Sequence, residues 1–351
     1  MPSLYATREQ VKRAGNIWGS DKDAIIDRLL ESASRRIDAA TRRFFIPKTE
    51  TRLYRWPPSW PYRSGFLWLD QDLLAVTTLQ AKAQNSTPTT IAAADYFLEP
   101  ANQKPYHRIE IDISSSSVFE SGDTPQRSIS VAGRWGYSED TKAAGTVSSG
   151  LATGTTATSF VCSDGSLIDV GDSLLIESEQ IFVSKRANAQ VGSQTTSAAL
   201  ASDKSVVAVG VGDGTLFFAG GMILIDSERM LIESISSNTL TCVRAYDGSV
   251  LASHSITTAV HAFRTMTITR AVNGTTAATH ANATAVSKYV PPMDVQEACV
   301  AMALAGYAQE QAHWGRSVGG GEGSFEMNGR SLKGLVEELA QSYKRVRVGA
   351  I

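Results

Sequence analysis

The clearest helical periodicity lies near the start of the chain. Ile25, Ile26, Leu29, Leu30, Ala33, Ile37, Ala40 and Phe44 recur at steps of three and four, which puts them on one stripe. Arg28, Glu31, Arg35, Asp38 and Arg42 take the other face. The spacing predicts a helix capped by Ser20, with Asp21 and Asp23 in its first turn, running to about Phe45 and stopped by Pro47. A shorter helix precedes it, with Thr7 and Gln10 at capping-box spacing and Gly15 as terminator. Two more helices are expected near the end. One opens at Asp294, behind Pro291 and Pro292, and carries Val295, Ala298, Cys299 and Met302 to about His313. The other is capped by Ser331 and shows Leu332, Leu335, Val336, Leu339 and Tyr343 on one face.

Between these helices the pattern shortens to strand length. Residues 49–56, 66–69, 73–80, 96–98, 108–113 and 128–135 read as short strands. Further on, 174–177 with 180–184 reads as a hairpin, and 222–226 with 229–234 as its twin. Asp247-Gly248 and Asn273-Gly274 are tight-turn signals, since both dipeptides tolerate positive φ. Residues 143–158 and 187–202 are small and polar and read as loops.

The twin hairpins belong to a wider duplication. TLTCVRAYDGSVLASHSITTAV from Thr239 aligns without gaps to TMTITRAVNGTTAATHANATAV from Thr265, sharing Arg244/Arg270, Ala245/Ala271, Gly248/Gly274, Ala252/Ala278 and His254/His280. Upstream, GDSLLIESEQIFV from Gly171 echoes GGMILIDSERMLI from Gly220. A catalytic residue should stand alone, and here almost every conspicuous residue has a counterpart.

Composition marks the borders. All six tryptophans and all eleven prolines lie outside 141–288, which is rich in Ser, Thr, Ala and Gly. We expect an α+β protein, a helical core with a small β-subdomain (1–140 and 289–351), interrupted by an inserted all-β repeat domain (141–288). Net charge is −2, so nothing global calls for nucleic acid or a lipid surface. The three cysteines are far apart and suggest neither a disulfide framework nor a zinc site. The N-terminus is too polar for a signal peptide, and no apolar run reaches membrane-spanning length.

Four features invite a chemical reading. Gly171-Asp172-Ser173-Leu174 spells an esterase nucleophile block, but a strand is expected after it and no Asp-x-x-His block accompanies it. The glycines of Val209–Gly214 would need a following helix to hold phosphate, and Leu216-Phe217-Phe218 reads as strand. His254, His261 and His280 come without a carboxylate cluster. Gly319-Gly320-Gly321 lacks the GK[ST] of a phosphate loop and reads as a mobile connection. We therefore expect no catalytic residue, no metal, no cofactor and no enzymatic activity. Arg35, Arg36, Arg42 and Arg43 are pairs on nearly one helix face, open to solvent, inter-subunit ion pairs or passing DNA. Tyr343, Lys344, Arg345, Val346, Arg347 and Val348 form a basic terminus with an apolar edge, either frayed or a docking peptide.

Without the insert, the order of parts resembles a known pattern. Tyr5–Gly15, the helix from Asp23 to Phe44-Phe45-Ile46-Pro47, strands closing on Arg134-Trp135-Gly136-Tyr137, Pro292–Cys299, a glycine-rich loop and a short helix with a basic end follow in turn. This resembles the head–tail connector (adaptor) proteins of tailed double-stranded DNA bacteriophages and gene transfer agents. The resemblance covers roughly 5–137 and 289–351; most compact adaptors lack such an insert. It implies a virion protein of the neck, assembled in the host cytoplasm, forming a homo-oligomeric ring of about twelve subunits under the portal protein. Double-stranded DNA would pass through its channel without sequence-specific binding, and tail, stopper or other neck proteins would meet its lower face. Residues 343–348 would dock on the portal, and Arg35, Arg36, Arg42 and Arg43 would face the ring contacts or channel. No membrane is implied. The rival reading is a β-repeat tail or baseplate module contacting other virion proteins or host-surface glycans.

Overall fold

A computed structural model describes residues 3–57, 65–311 and 329–345. Helix α1 (Arg8–Ala14) starts from a complete capping box between Thr7 and Gln10 and ends at Gly15. Helix α2 (Asp23–Thr41) is shorter than its periodicity suggests. Lys22 occupies its N-cap with no side-chain hydrogen bond, so Ser20 is not the cap. Arg42 adopts a left-handed conformation (φ 58°) that stops it, which leaves Phe44 and Phe45 beyond the helix. Ile26, Leu30, Ala33 and Ile37 are its buried stripe.

Six strands follow: β1 (Lys48–Tyr54), β2 (Phe66–Ala81), β3 (Thr89–Ile91), β4 (Tyr96–Glu99), β5 (Tyr106–Ile111) and β6 (Ile129–Trp135). They pair in the order β1-β6-β2-β5-β4, with β3 on β2. The strands expected at 66–69 and 73–80 are one strand. Its first part pairs with β5 and its second with β6, with a register break between Trp68 and Leu73. Trp56, Leu67, Leu79, Ile109, Val131 and Trp135 belong to the core of this sheet.

The second sheet comprises β7 (Thr141–Ser149), β8 (Ser159–Cys162), β9 (Ser173–Ile176), β10 (Glu179–Thr195), β11 (Ala208–Gly210), β12 (Met222–Ile225), β13 (Glu228–Ser236), β14 (Thr239–Val243), β15 (Ala259–Thr269) and β16 (Ala285–Tyr289). Helices α3 (Met293–Gln311) and α4 (Gly329–Tyr343) then return to α2. Ile26, Leu30, Ile37, Val295, Cys299 and Leu339 share one helical core, and Leu175 and Tyr289 of the second sheet reach into it.

The expected helical core with a small β-subdomain is not what the chain builds. Strand accounts for 37% of the structure and helix for 21%, so two antiparallel sheets dominate. The reason is long-range pairing. Lys48 lies opposite Trp135 across β1 and β6, and no local pattern announces such a pair. The stretches read as loops, 143–158 and 187–202, supply much of β7 and the end of β10. Small polar residues suffice there, because the ladder bonds through backbone groups.

The second sheet closes on itself. β10, β9, β16, β7, β8 and β15 pair in sequence, and β15 pairs back to β10, making a six-stranded barrel (barrel A). A second barrel (barrel B) repeats it with β13, β12, the first part of β15, the end of β10, β11 and β14, closed between β10 and β11 by the backbone bond from Ser197 N–H, just past β10, to Gly210 O at 2.9 Å. Equivalent backbone bonds recur: His280 N–H to Leu151 and His254 N–H to Leu200, Gly171 N–H to Val183 and Gly220 N–H to Ile232. The copies are nested rather than in tandem. Barrel B lies between β10 and the second half of β15, where its own counterpart strands β13 and β14 are joined through Ser237 and Asn238. The long β10–β15 ribbon carries one barrel on the end of the other.

Both barrels rest on the rest of the molecule. Arg8 N–H bonds Val170 O at 3.0 Å, and Gln180 Nε2 donates to Pro47 O at 3.1 Å. Trp18 packs edge-on to Tyr246 of barrel B. The inserted region is therefore seated against the body and does not project freely from it.

Candidate functional site

The first residue of β10, and its counterpart in β13, follow a turn with a left-handed residue at Glu177 (φ 54°) or Asp226 (φ 53°). This geometry turns Glu179 and Glu228 into the two barrels, where both side chains are fully buried. Glu228 accepts from Arg244 Nε at 2.7 Å and Nη2 at 2.8 Å. It also accepts from the amides of Ala245 (2.9 Å) and Ala252 (3.0 Å), and His254 Nε2 lies 2.9 Å away. Glu179 repeats the set with Arg270 Nε (3.0 Å) and Nη2 (2.5 Å), Ala271 N (3.1 Å), Ala278 N (3.0 Å) and His280 Nε2 (2.9 Å). The outer ring nitrogens reach Asp226 (2.8 Å) and Glu177 (2.7 Å).

This saturation decides what the sites can do. A carboxylate offers about four lone-pair directions, and here five donors use them. No acceptor is left for a substrate or a water. A buried ion pair holds only when bidentate and further hydrogen-bonded, as both pairs are. Burial raises the Glu228 pKa, but the hydrogen bonds from Arg244, His254, Ala252 and Ala245 outweigh it and hold the carboxyl at about 2. Glu179 is shifted the same way, against its burial, by Arg270, Ala278, His280 and Ala271.

The knots also pin the duplicated turns. Ala245 and Asp247, like Ala271 and Asn273, take left-handed backbone conformations (φ 50° to 54°), each costing about 1 kcal/mol or more for a residue other than glycine. The amides of Ala245 and Ala271 bond the buried carboxylates, which offsets that strain. Both turns face the body. Asp247 lies 3.5 Å from Lys12, and Asn273 donates to Ser3 Oγ at 2.8 Å. Gly274 passes so close to Thr49 O that a Cβ would stand 2.0 Å from it.

The other expected features fall elsewhere. Ser173 opens strand β9, with no helix behind it. Its Oγ is buried without a hydrogen-bond partner. Asp172 accepts from Asp169 N (2.8 Å) and Lys288 Nζ (3.1 Å), and burial pushes its carboxyl upward. The glycine stretch of 209–214 belongs to β11 and to a turn in which Asp213 caps Thr215. His261 lies on β15, away from the two knots. Among the described residues, no three His, Cys, Asp or Glu side chains gather as a metal-ligand set.

The arginines do not share one face. Arg35 pairs with Asp38 (2.5 Å) and donates to Ser3 O (2.5 Å). Arg36 is exposed, and Arg42 is exposed past the helix end. Arg43 turns inward to Asp72 (2.5 Å) and to the carbonyl of Tyr343. In the C-terminal segment, Tyr343 packs against Phe45 and Tyr137 and donates to Asp294 at 2.9 Å. Arg345 is buried, bonded to the fully buried Asp72 and to Leu69 O at 2.9 Å. Lys344 is exposed. Val346, Arg347 and Val348, like Gly319-Gly320-Gly321, lie outside the described residues.

Two junctions complete the picture. A cavity of about 220 Å³ separates barrel A from the body, bordered by Leu4, Thr7, Asp172, Ser173, Lys288 and Met293 among others. The equivalent junction, between barrel B and barrel A, leaves about 10 Å³.

No family model matches the chain, and neither a curated protein nor a solved structure is significantly similar to it.

Glu179 and Glu228 were not singled out as site residues in the sequence. The signal was there: an identical acid in one echo, an identical arginine and histidine in the other. The outer acid pairs with the outer arginine and the inner with the inner, which is the mark of nesting.

Proposed function

We propose that the protein is a non-enzymatic structural component of a tailed phage particle, a ring-forming neck adaptor that joins portal to tail around the DNA channel. The observation that carries this reading is the twinned Glu–Arg–His knot. The most conspicuous polar residues of the β region hold two barrels and seat their turns on the body. Such construction suits a part that transmits force between partners rather than one that turns over a substrate. In this reading the ring-forming body is a sheet with four helices among the described residues, with the barrels seated against it. Electron microscopy of the chain mixed with the portal protein of its own phage tests the reading. Rings stacked on the portal are expected, and a protein that stays unbound under all assembly conditions would remove it.

A tail or baseplate module is the second reading. It is favoured by the outer face of the first sheet, where Phe97 and Trp68 are exposed and Arg108 sits 4.9 Å from the Phe66 ring and 5.1 Å from the Trp68 ring. Gold labelling of virions separates the two, by label at the neck or at the tail tip.

A further inference from the structure

The duplication supplies an internal control for the cavity beside barrel A. Both barrels offer the same face to what lies before them in the fold: the body for A, barrel A for B. In barrel B that face carries Phe218, Gly221, Met222 and Ala262, and the junction is filled. In barrel A the same positions are Asp169, Asp172, Ser173 and Lys288, and about 220 Å³ stays open. The fold can close this junction with apolar side chains and does so once. The polar hollow is therefore not a requirement of the architecture.

We propose that this hollow binds a small, neutral, polyhydroxylated molecule, of monosaccharide size or smaller. Ser173 lines the hollow and is 2% exposed, and its buried Oγ has no hydrogen-bond partner. A buried hydroxyl without a partner costs about 1–3 kcal/mol, which a bound donor or acceptor would recover. Asp172 accepts and Lys288 donates, and their charges offset each other at 3.1 Å. An anionic ligand would face the carboxylate and a cationic one the ammonium, whereas a hydroxyl can donate to the first and accept from the second. Leu4, Ile46 and Pro291 give apolar wall for the C–H faces of a sugar or polyol. The size fits this class, because the space lies below the ~300–1,000 Å³ typical of drug-sized sites. The inference is independent of the assembly role.

Saturation-transfer NMR on the full chain tests it, with D-glucose and glycerol as probes and glycine and inorganic phosphate as charged controls. A signal from a neutral probe is expected. Ser173→Ala should weaken it about tenfold, the effect of losing one or two hydrogen bonds. The triple change Asp172→Gly, Ser173→Met, Lys288→Ala gives barrel A its twin's residue at three of these four positions. It should abolish the signal and keep the melting temperature. Silence from both neutral probes would mean that water alone fills the space, and would overturn the proposal. Undiminished binding in Ser173→Ala, or charged controls that bind as well as the polyols, would overturn it too.

Discussion

Glu179 and Glu228 hold the same five partners in two barrels, one barrel inserted within the other. The chain thus contains two copies of one buried charge site, and each copy reports on the other.

Removing either carboxylate leaves a buried arginine without its counter-charge. Glu228→Gln and Glu179→Gln should each cost about 3–5 kcal/mol, with similar values for both. Urea unfolding of the two single variants measures this. A loss under 1 kcal/mol in one alone would show that the knots are not equivalent.

Acid should weaken the barrels in a defined window. The folded pKa of Glu228 lies at about 2, below its ordinary value of 4.5. A depressed carboxyl stabilises above its unfolded pKa, and that contribution is lost as pH falls through the folded one. The unfolding free energy from urea titrations should hold down to about pH 5 and fall between about 4.5 and 2, by about 3 kcal/mol from this group. In Glu228→Gln the slope should flatten.

Glu9 works in the opposite direction. Burial, then the charge of Asp169, raises its carboxyl to about 7, against the pull of Arg186. A raised carboxyl loses its contribution as pH rises from the unfolded value through the folded one. Glu9→Gln keeps an acceptor for the Val170 amide, 2.9 Å away, and removes the charge. Calorimetry should show a higher melting temperature for Glu9→Gln than for wild type at pH 8, and none of that gain at pH 4.5.

The C-terminal segment should be needed for the fold as far as Arg345. Arg345 shares the buried Asp72 with Arg43, and Tyr343 packs on Phe45 and Tyr137. Truncation after Ser342, harmless for a free docking tail, should lower stability by about 3 kcal/mol through the broken buried pair. Thermal unfolding of that truncation and of Arg345→Ala checks this. Unchanged melting in both would return the segment to the role of a loose peptide.

Barrel B should be removable. Barrel B closes its own hairpin with Ser237 and Asn238, between β13 and β14. Replacing residues 188–264 by Ser-Asn should therefore leave barrel A closed by the same turn. Trp18 would lose its contact with Tyr246, so some stability should be lost. A soluble protein with one cooperative transition is expected, and a molten product would contradict nested duplication.

Much of the local structure was legible. The capping box at Thr7 and Gln10, the buried stripe of α2 and the paired hairpins all follow from spacing, because each depends on residues a few positions apart. The end of α2 was less so. Arg42 takes a left-handed conformation that no residue type announces, and Phe44 and Phe45 leave the stripe with it. The arginines then scatter, because Arg43 follows the turned backbone to Asp72.

The amino-acid sequence by itself determined that this chain carries a duplication and which residues are its fixed points, since copies of Arg, Ala, Gly and His at constant spacing need no coordinates to be seen. Only the tertiary structure decided how the copies are used. Barrel closure joins β10 to β15, and long-range pairing in the first sheet joins β1 to β6, through backbone bonds that small polar residues form as well as apolar ones. The meaning of Glu179 and Glu228 was likewise decided in space. Each becomes a saturated buried ion pair only when its arginine, from the far side of a turn or of a whole inserted barrel, reaches it within hydrogen-bond distance.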